Sequence, residues 1–130
     1  MSIRKGFTLV EVLVVVILLG IVAAIAIPQF SDASDDARTS SLASDLQSVR
    51  NQLELYKFRH SGVYPDDIVS ALTNSDGAFG PYMMKFPRNP FVAAAANEVD
   101  TTSLGGSTCG WFYDKTTGTF KPDDDAHTGL

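Results

Sequence analysis

The stretch from Gly6 to Ile27, GFTLVEVLVVVILLGIVAAIAI, is apolar almost throughout and carries one acid, Glu11. No other feature of this 130-residue chain limits its fold as strongly. A helix from Phe7 to Ile27 would extend about 31 Å, close to the hydrocarbon thickness of a bilayer. A helix apolar on every side can be buried in a soluble domain only if enough protein surrounds it, and a chain this small has too little. Two readings remain. In the first the run is a cleaved secretory signal, with Arg4 and Lys5 as its basic region and Ala24-Ile25-Ala26 as a small-x-small cleavage site. The run is longer than a usual signal core, however, and Glu11 interrupts it. In the second it is a retained membrane helix, with Arg4 and Lys5 cytoplasmic and its C-terminal end facing outward.

Glu11 separates these readings. An acid in a membrane segment costs about 1–3 kcal/mol on insertion scales, and less near the helix end. One reading makes it merely an acid near a helix N-terminus, where the macrodipole favours it. The other gives it a cation to meet. Cleavage after Gly6 would leave Phe7 with a free ammonium four positions before Glu11. That amine sits badly at the positive end of a helix dipole, and Glu11 would neutralise it within one chain or between chains staggered along an axis. In an apolar core such a pair sets register.

Lys5-Gly6-Phe7-Thr8-Leu9-Val10-Glu11, the unbroken apolar run and then Pro28 resemble the N-terminus of type IV pilins and of the pseudopilins of type II secretion. The resemblance implies that a prepilin peptidase cuts between Gly6 and Phe7 on the cytoplasmic side and N-methylates Phe7. It also implies that Glu11 is the acid needed for subunit assembly. Tip-type pseudopilins usually lack that acid, so its presence points to the filament body. Cutting before the apolar core retains it, and the mature helix leaves the lipid only when neighbouring helices replace that lipid. Pro28 lacks an N–H and clashes with the carbonyl of Ala24, and Gly20 adds a weak point earlier in the helix, so a kink is expected over these positions.

Downstream the chain is polar and acidic. The net charge is −5, and losing a leader with two positive residues takes it to about −7. No basic run follows Lys5, which leaves no electrostatic footprint for nucleic acid. Leu42, Leu46, Val49, Leu53 and Tyr56 mark one face of an amphipathic helix, with Ser44, Arg50, Asn51 and Lys57 opposite. Lys57, Arg59 and His60 suit its C-terminus, and Gly62 and Pro65 end it. Asp66 or Asp67 is the expected cap of a short helix through Leu72. Val92 to Ala96 reads equally as strand or helix. Gly110 to Tyr113 and Thr119 to Lys121, joined by a turn over Asp114 to Gly118, read as a hairpin with Trp111 and Tyr113 on one face.

Further stretches, Leu53 to Lys57, Gly62-Val63-Tyr64-Pro65 and YMMKFPRNPF over Tyr82 to Phe91, resemble the G-type, or major, pseudopilins. That resemblance implies calcium in a C-terminal loop. The chain has no recognisable counterpart of the longer glycine- and aspartate-rich loop concerned, so Asp123-Asp124-Asp125 is read as a solvated, frayed tail, with calcium as the alternative. No cofactor is otherwise predicted. Cys109 is the only cysteine; with a histidine it is the only available nucleophile–base pair, and no spacing brings the two together.

The expected fold is α+β: a long N-terminal helix, half apolar and half amphipathic, packed on a small C-terminal domain with a short antiparallel sheet. Residues 1–6 form a cleaved leader, 7–30 the transmembrane and assembly helix, 31–61 the amphipathic helix, and 62–130 a periplasmic domain with a β-hairpin. The expected function is non-enzymatic. It is that of a structural subunit inserted in the inner membrane and polymerised into the helical pseudopilus that drives export. Partners implied are copies of itself, minor pseudopilins, the prepilin peptidase, the inner-membrane assembly platform and, before assembly, lipid. A type IV pilin for adhesion, motility or DNA uptake is the alternative; a membrane-anchored or secreted enzyme or binding module is the third.

Overall fold

The structure, a computed structural model, describes residues 6–106 and 108–130; of Pro28, Phe30 and Ser31 it describes the backbone only. Met1 to Lys5, including the basic Arg4 and Lys5, therefore lie outside the described residues. The elements in chain order are α1 (Leu9–Arg59), α2 (Ile68–Thr73), β1 (Val99–Asp100), β2 (Trp111–Asp114) and β3 (Thr119–Pro122). The chain divides into two compact units, one ending at Ala37 and the other Arg38–Leu130. Each is taken by itself.

In the first unit the large apolar side chains from Val12 to Ile27 are between 48% and 69% exposed, so the helix buries none of its faces against the described residues of that unit. An 18-residue window of mean hydropathy 3.1 makes it long and apolar enough to cross a membrane. The helical backbone runs without a break through both Gly20 and Pro28.

In the second unit the expected stripe packs as its spacing demands. Leu42, Leu46, Val49 and Leu53 join Ile68, Leu72, Phe86, Trp111, Tyr113 and Phe120 in one core, with Tyr56 half-buried at its edge. Arg50 departs from its expected place on the solvent face: its guanidinium donates to the Phe120 carbonyl at 2.8 Å and to the Leu130 carbonyl at 3.1 Å. One position beyond Val49 on a helix lies about 100° around the axis, which is the border of the buried stripe rather than its back.

Helix α1 ends in a left-handed turn. Gly62 N–H bonds the Lys57 carbonyl at 2.8 Å, a six-residue closure of the Schellman type, with Ser61 at φ 57° supplying the left-handed residue ahead of Gly62. Asp67 then caps α2, its carboxylate accepting from the Val69 and Ser70 amides. Tyr64, between the helices, bonds Glu54 and Lys57 on α1 at 2.9 Å each. A Cβ at Gly118, which stands at φ +74°, would fall inside the Tyr64 ring. The hairpin turn and the inter-helix loop thus need a glycine at their meeting point.

The hairpin of β2 and β3 forms in the register Trp111↔Pro122 to Asp114↔Thr119, antiparallel as expected. The sheet as a whole is mixed, because β1 joins β2 in parallel with Val99 opposite Trp111. Two residues carry no readable alternation, so this strand was invisible to pattern. Val92 to Ala96 is neither strand nor helix but a series of bends and turns. Its backbone is spent on the loop around it: Ala96 accepts from Asn89 N–H at 2.8 Å and Ala95 from Gly110 N–H at 3.0 Å.

The largest correction falls on the acidic run. Asp123 is fully buried and Asp124 is 7% exposed, so neither belongs to a solvated tail. The residues beyond are tied as well, since Lys121 Nζ donates to the Thr128 carbonyl at 2.9 Å and Arg50 reaches Leu130.

Candidate functional site

The head of the first unit is built by the sequence Gly6-Phe7-Thr8-Leu9-Val10-Glu11. Gly6, Phe7 and Thr8 are non-helical and exposed, Phe7 to 90%. The Gly6–Phe7 peptide therefore lies outside the helical hydrogen-bond ladder. Thr8 is the N-cap, and Glu11 is the third helical residue. Thr8 N–H and Thr8 Oγ1–H both donate to Glu11 Oε2 at 2.8 Å, while Glu11 N–H donates to Thr8 Oγ1 at 3.3 Å. This reciprocal arrangement is a capping box, which satisfies two amides that a helix start otherwise leaves open. Phe7 and Val12, the residues before the cap and fourth inside it, line the same shallow apolar groove with Leu13 and Val16, in the places of a hydrophobic staple.

The acid is thus doubly employed. It closes the helix start, and its negative charge sits at the positive end of the dipole, bonded to the Thr8 amide that follows Phe7. Thr8 was missed as a functional residue in the sequence reading. Its signal was present as Thr-x-x-Glu directly before an apolar run.

The structure places Gly6, Phe7 and Glu11 together at one end of the unit, and Gly20 and Pro28 farther along the same helix. Around Gly20 nothing lies within 4 Å of where a Cβ would stand, so the glycine is not required by packing within the chain.

The groups considered for chemistry are otherwise engaged. Burial pushes the Cys109 thiol up, away from the thiolate a nucleophile needs. His60 stacks on Tyr56 with ring centroids 3.8 Å apart, and its Nδ1 lies 2.9 Å from the Tyr56 carbonyl at the end of α1, the helix-terminal role expected for it. His127 faces Asp124 and stacks on Phe91.

Calcium in the C-terminal loop, as the G-type resemblance implies, can be tested on the carboxylates themselves. Asp123 Oδ1 accepts from the Gly105 and Gly106 amides at 2.7 and 3.3 Å. Asp124 Oδ1 accepts from Asn89 Nδ2 at 2.8 Å, and Asp124 Oδ2 meets His127 Nδ1. Three of these four oxygens thus face N–H donors. Only Asp123 Oδ2 has no hydrogen-bond partner among the described residues. No group of three or more His, Cys, Asp or Glu side chains able to hold a metal comes together among them. Calcium takes six to eight oxygens and no N–H, so this donor set does not fit it.

The family model of the prokaryotic N-terminal methylation motif matches residues 1–27. The chain is 32% identical over 97 residues to a type II secretion system core protein G of Vibrio cholerae, which covers 68% of this chain and 66% of that protein. It is 31% identical over 98 residues to a protein of the same name from Aeromonas hydrophila, 68% of each chain. It is also 30% identical over 105 residues to a type IV narrow pilus major component of Thermus thermophilus, covering 80% of this chain and 90% of that one. The chain thus spans about two thirds of the length of the secretion relatives. No solved structure matches.

Proposed function

This chain belongs to the family of type IV pilins and type II secretion pseudopilins, and on that premise we propose that it is a structural subunit of a type II secretion pseudopilus. It is inserted in the inner membrane with its N-terminus cytoplasmic, cut between Gly6 and Phe7 by a prepilin peptidase, N-methylated on Phe7, and drawn through the assembly platform into a helical filament with copies of itself and minor pseudopilins. The observation that carries this reading is the head of α1: an acid held by its own cap at the start of a helix whose apolar side chains are exposed all round. Lipid and neighbouring helices are equally dry, so the apolar surface serves both states. Gly20 and Pro28 are the positions where the helix yields as it changes surroundings.

Mass spectrometry of the mature chain tests the processing step. A chain that starts at N-methyl-Phe7 supports it, and a start at Ile27 would make the apolar run an ordinary signal. The charge role is tested by Glu11→Ala, which should insert in the membrane normally yet fail to form filaments; normal assembly of that variant would remove the role given to Glu11.

The Thermus pilus component aligns over 90% of its length, and that coverage favours a second reading, a type IV pilin. Surface filaments on cells expressing the chain, with export unaffected by its deletion, would select it.

A further inference from the structure

Where the family resemblance implies calcium, we propose that this chain uses a carboxylate lock served by its own N–H donors, and that its second unit closes and stays folded without the ion. The inference rests on the fold of residues 38–130 and not on which filament the chain enters.

A buried carboxylate is costly unless hydrogen bonds replace the water it loses. Asp123 meets that demand with the successive amides of Gly105 and Gly106, a concave pair of donors of the kind that binds anions; Gly105, at φ +86°, supplies the left-handed residue such a nest needs. The anion in this nest belongs to the chain itself. It fastens the loop before β2 to the residue that follows β3.

Asp124 is fastened in the other direction. Asn89, 1% exposed, is the hub. Its Nδ2 donates to Asp124 Oδ1 at 2.8 Å and to the Gly110 carbonyl at 2.9 Å, and its Oδ1 accepts from Phe91 N–H at 2.9 Å. Its own backbone N–H bonds the Ala96 carbonyl at 2.8 Å. The other carboxylate oxygen of Asp124 meets His127, whose ring stacks on Phe91 at 4.2 Å. Asn89-Pro90-Phe91 and Asp123-Asp124 thus form one network that joins three loops.

A cation would have to displace those donors. Beside the lock, Asp123 Oδ2, Thr108 Oγ1 and Ser103 Oγ lie 3.8, 3.5 and 4.0 Å from the point a Gly106 Cβ would occupy, and Asp125 Oδ1 lies 3.4 Å from the corresponding point at Gly105. Among the described residues no three His, Cys, Asp or Glu side chains come together to hold a metal ion, and the Asp123 and Asp124 oxygens that already accept from N–H groups are not free for calcium.

The test uses the full chain in detergent micelles, with thermal melting read from the single tryptophan, Trp111, which is fully buried beside the lock. Melting of the wild type should be the same in excess chelator and in millimolar calcium. Asp123→Asn and Asp124→Asn should each lower Tm by about 5–10 °C, by the same amount in both conditions. A wild-type Tm that rises saturably with calcium would overturn the inference, whether or not the variants fold. So would variants that melt like the wild type, since the lock would then hold nothing.

Discussion

Residues 9–27 and residues 42–53 belong to the same helix and both present leucine and valine at helical spacing, yet their surfaces end in opposite states. Leu42, Leu46, Val49 and Leu53 are at most 3% exposed, whereas Leu13, Ile17, Leu18 and Val22 are 53–62% exposed. Around residues 42–53 the apolar side chains form a stripe with a polar back, so one partner face suffices, and the second unit supplies it. Around residues 9–27 they cover the whole circumference, and the described residues of that unit supply nothing. At about 25 cal/mol per Å², the same driving force that closes the second unit is left unspent in the first. Lipid or other helices must take it up. Moving between these two dry surroundings changes little hydrophobic energy, so packing and polar pairs decide the association.

The contrast can be broken by one chemical change made in both places. Leu46→Ala should cost about 2–5 kcal/mol of folding stability through the cavity it leaves, read from the Trp111 melting transition. Leu13→Ala should leave that transition where it is and show itself only in filament assembly. If the two variants melted alike, the units would not be energetically distinct. A smaller loss, on the order of 1–3 kcal/mol, is expected for Gly118→Ala, because the added methyl meets the Tyr64 ring at a left-handed backbone position. Tyr64→Ala made alongside it should recover part of that loss if the clash is the cause.

The smallest effect is that of acid. Lys115 holds the Asp66 carboxyl below its ordinary 3.8, Thr102 does so for Asp100, and the Thr117 hydroxyl with the Thr116 amide for Asp114. Each depressed group stabilises the fold in full above its ordinary value and loses that contribution as pH falls through its folded value. The contribution of these three groups to melting of the second unit should therefore be constant from neutrality to about pH 5 and fade below about pH 4. All three groups lie at the surface, where solvent screens them, so the slope should be shallow and the apolar helix untouched.

Much of the chain was legible where residues speak through period or through a local cap. The stripe from Leu42 to Leu53, the Asp67 cap, the alternation of Trp111 and Tyr113 and the turn before Thr119 all have partners within a few positions, or one face to satisfy. The acid Glu11 was legible for a similar reason, since a charge inside an apolar run stands out. Thr8 was readable and overlooked. Arg50, the parallel pairing of Val99 with Trp111, and above all Asn89, Asp123, Asp124 and His127 were not. Their meaning lies in groups 12 to 80 positions away, and composition alone makes an Asn-Pro a breaker and three aspartates a tail.

What the sequence determined by itself was the unsatisfied helix: its length, its apolar circumference and its single acid follow from local chemistry and hold in any fold. What only the tertiary structure decided was the fate of the buried carboxylates. A polar side chain can leave water only when donors arrive from elsewhere in the chain, and which donors arrive is settled when distant loops meet.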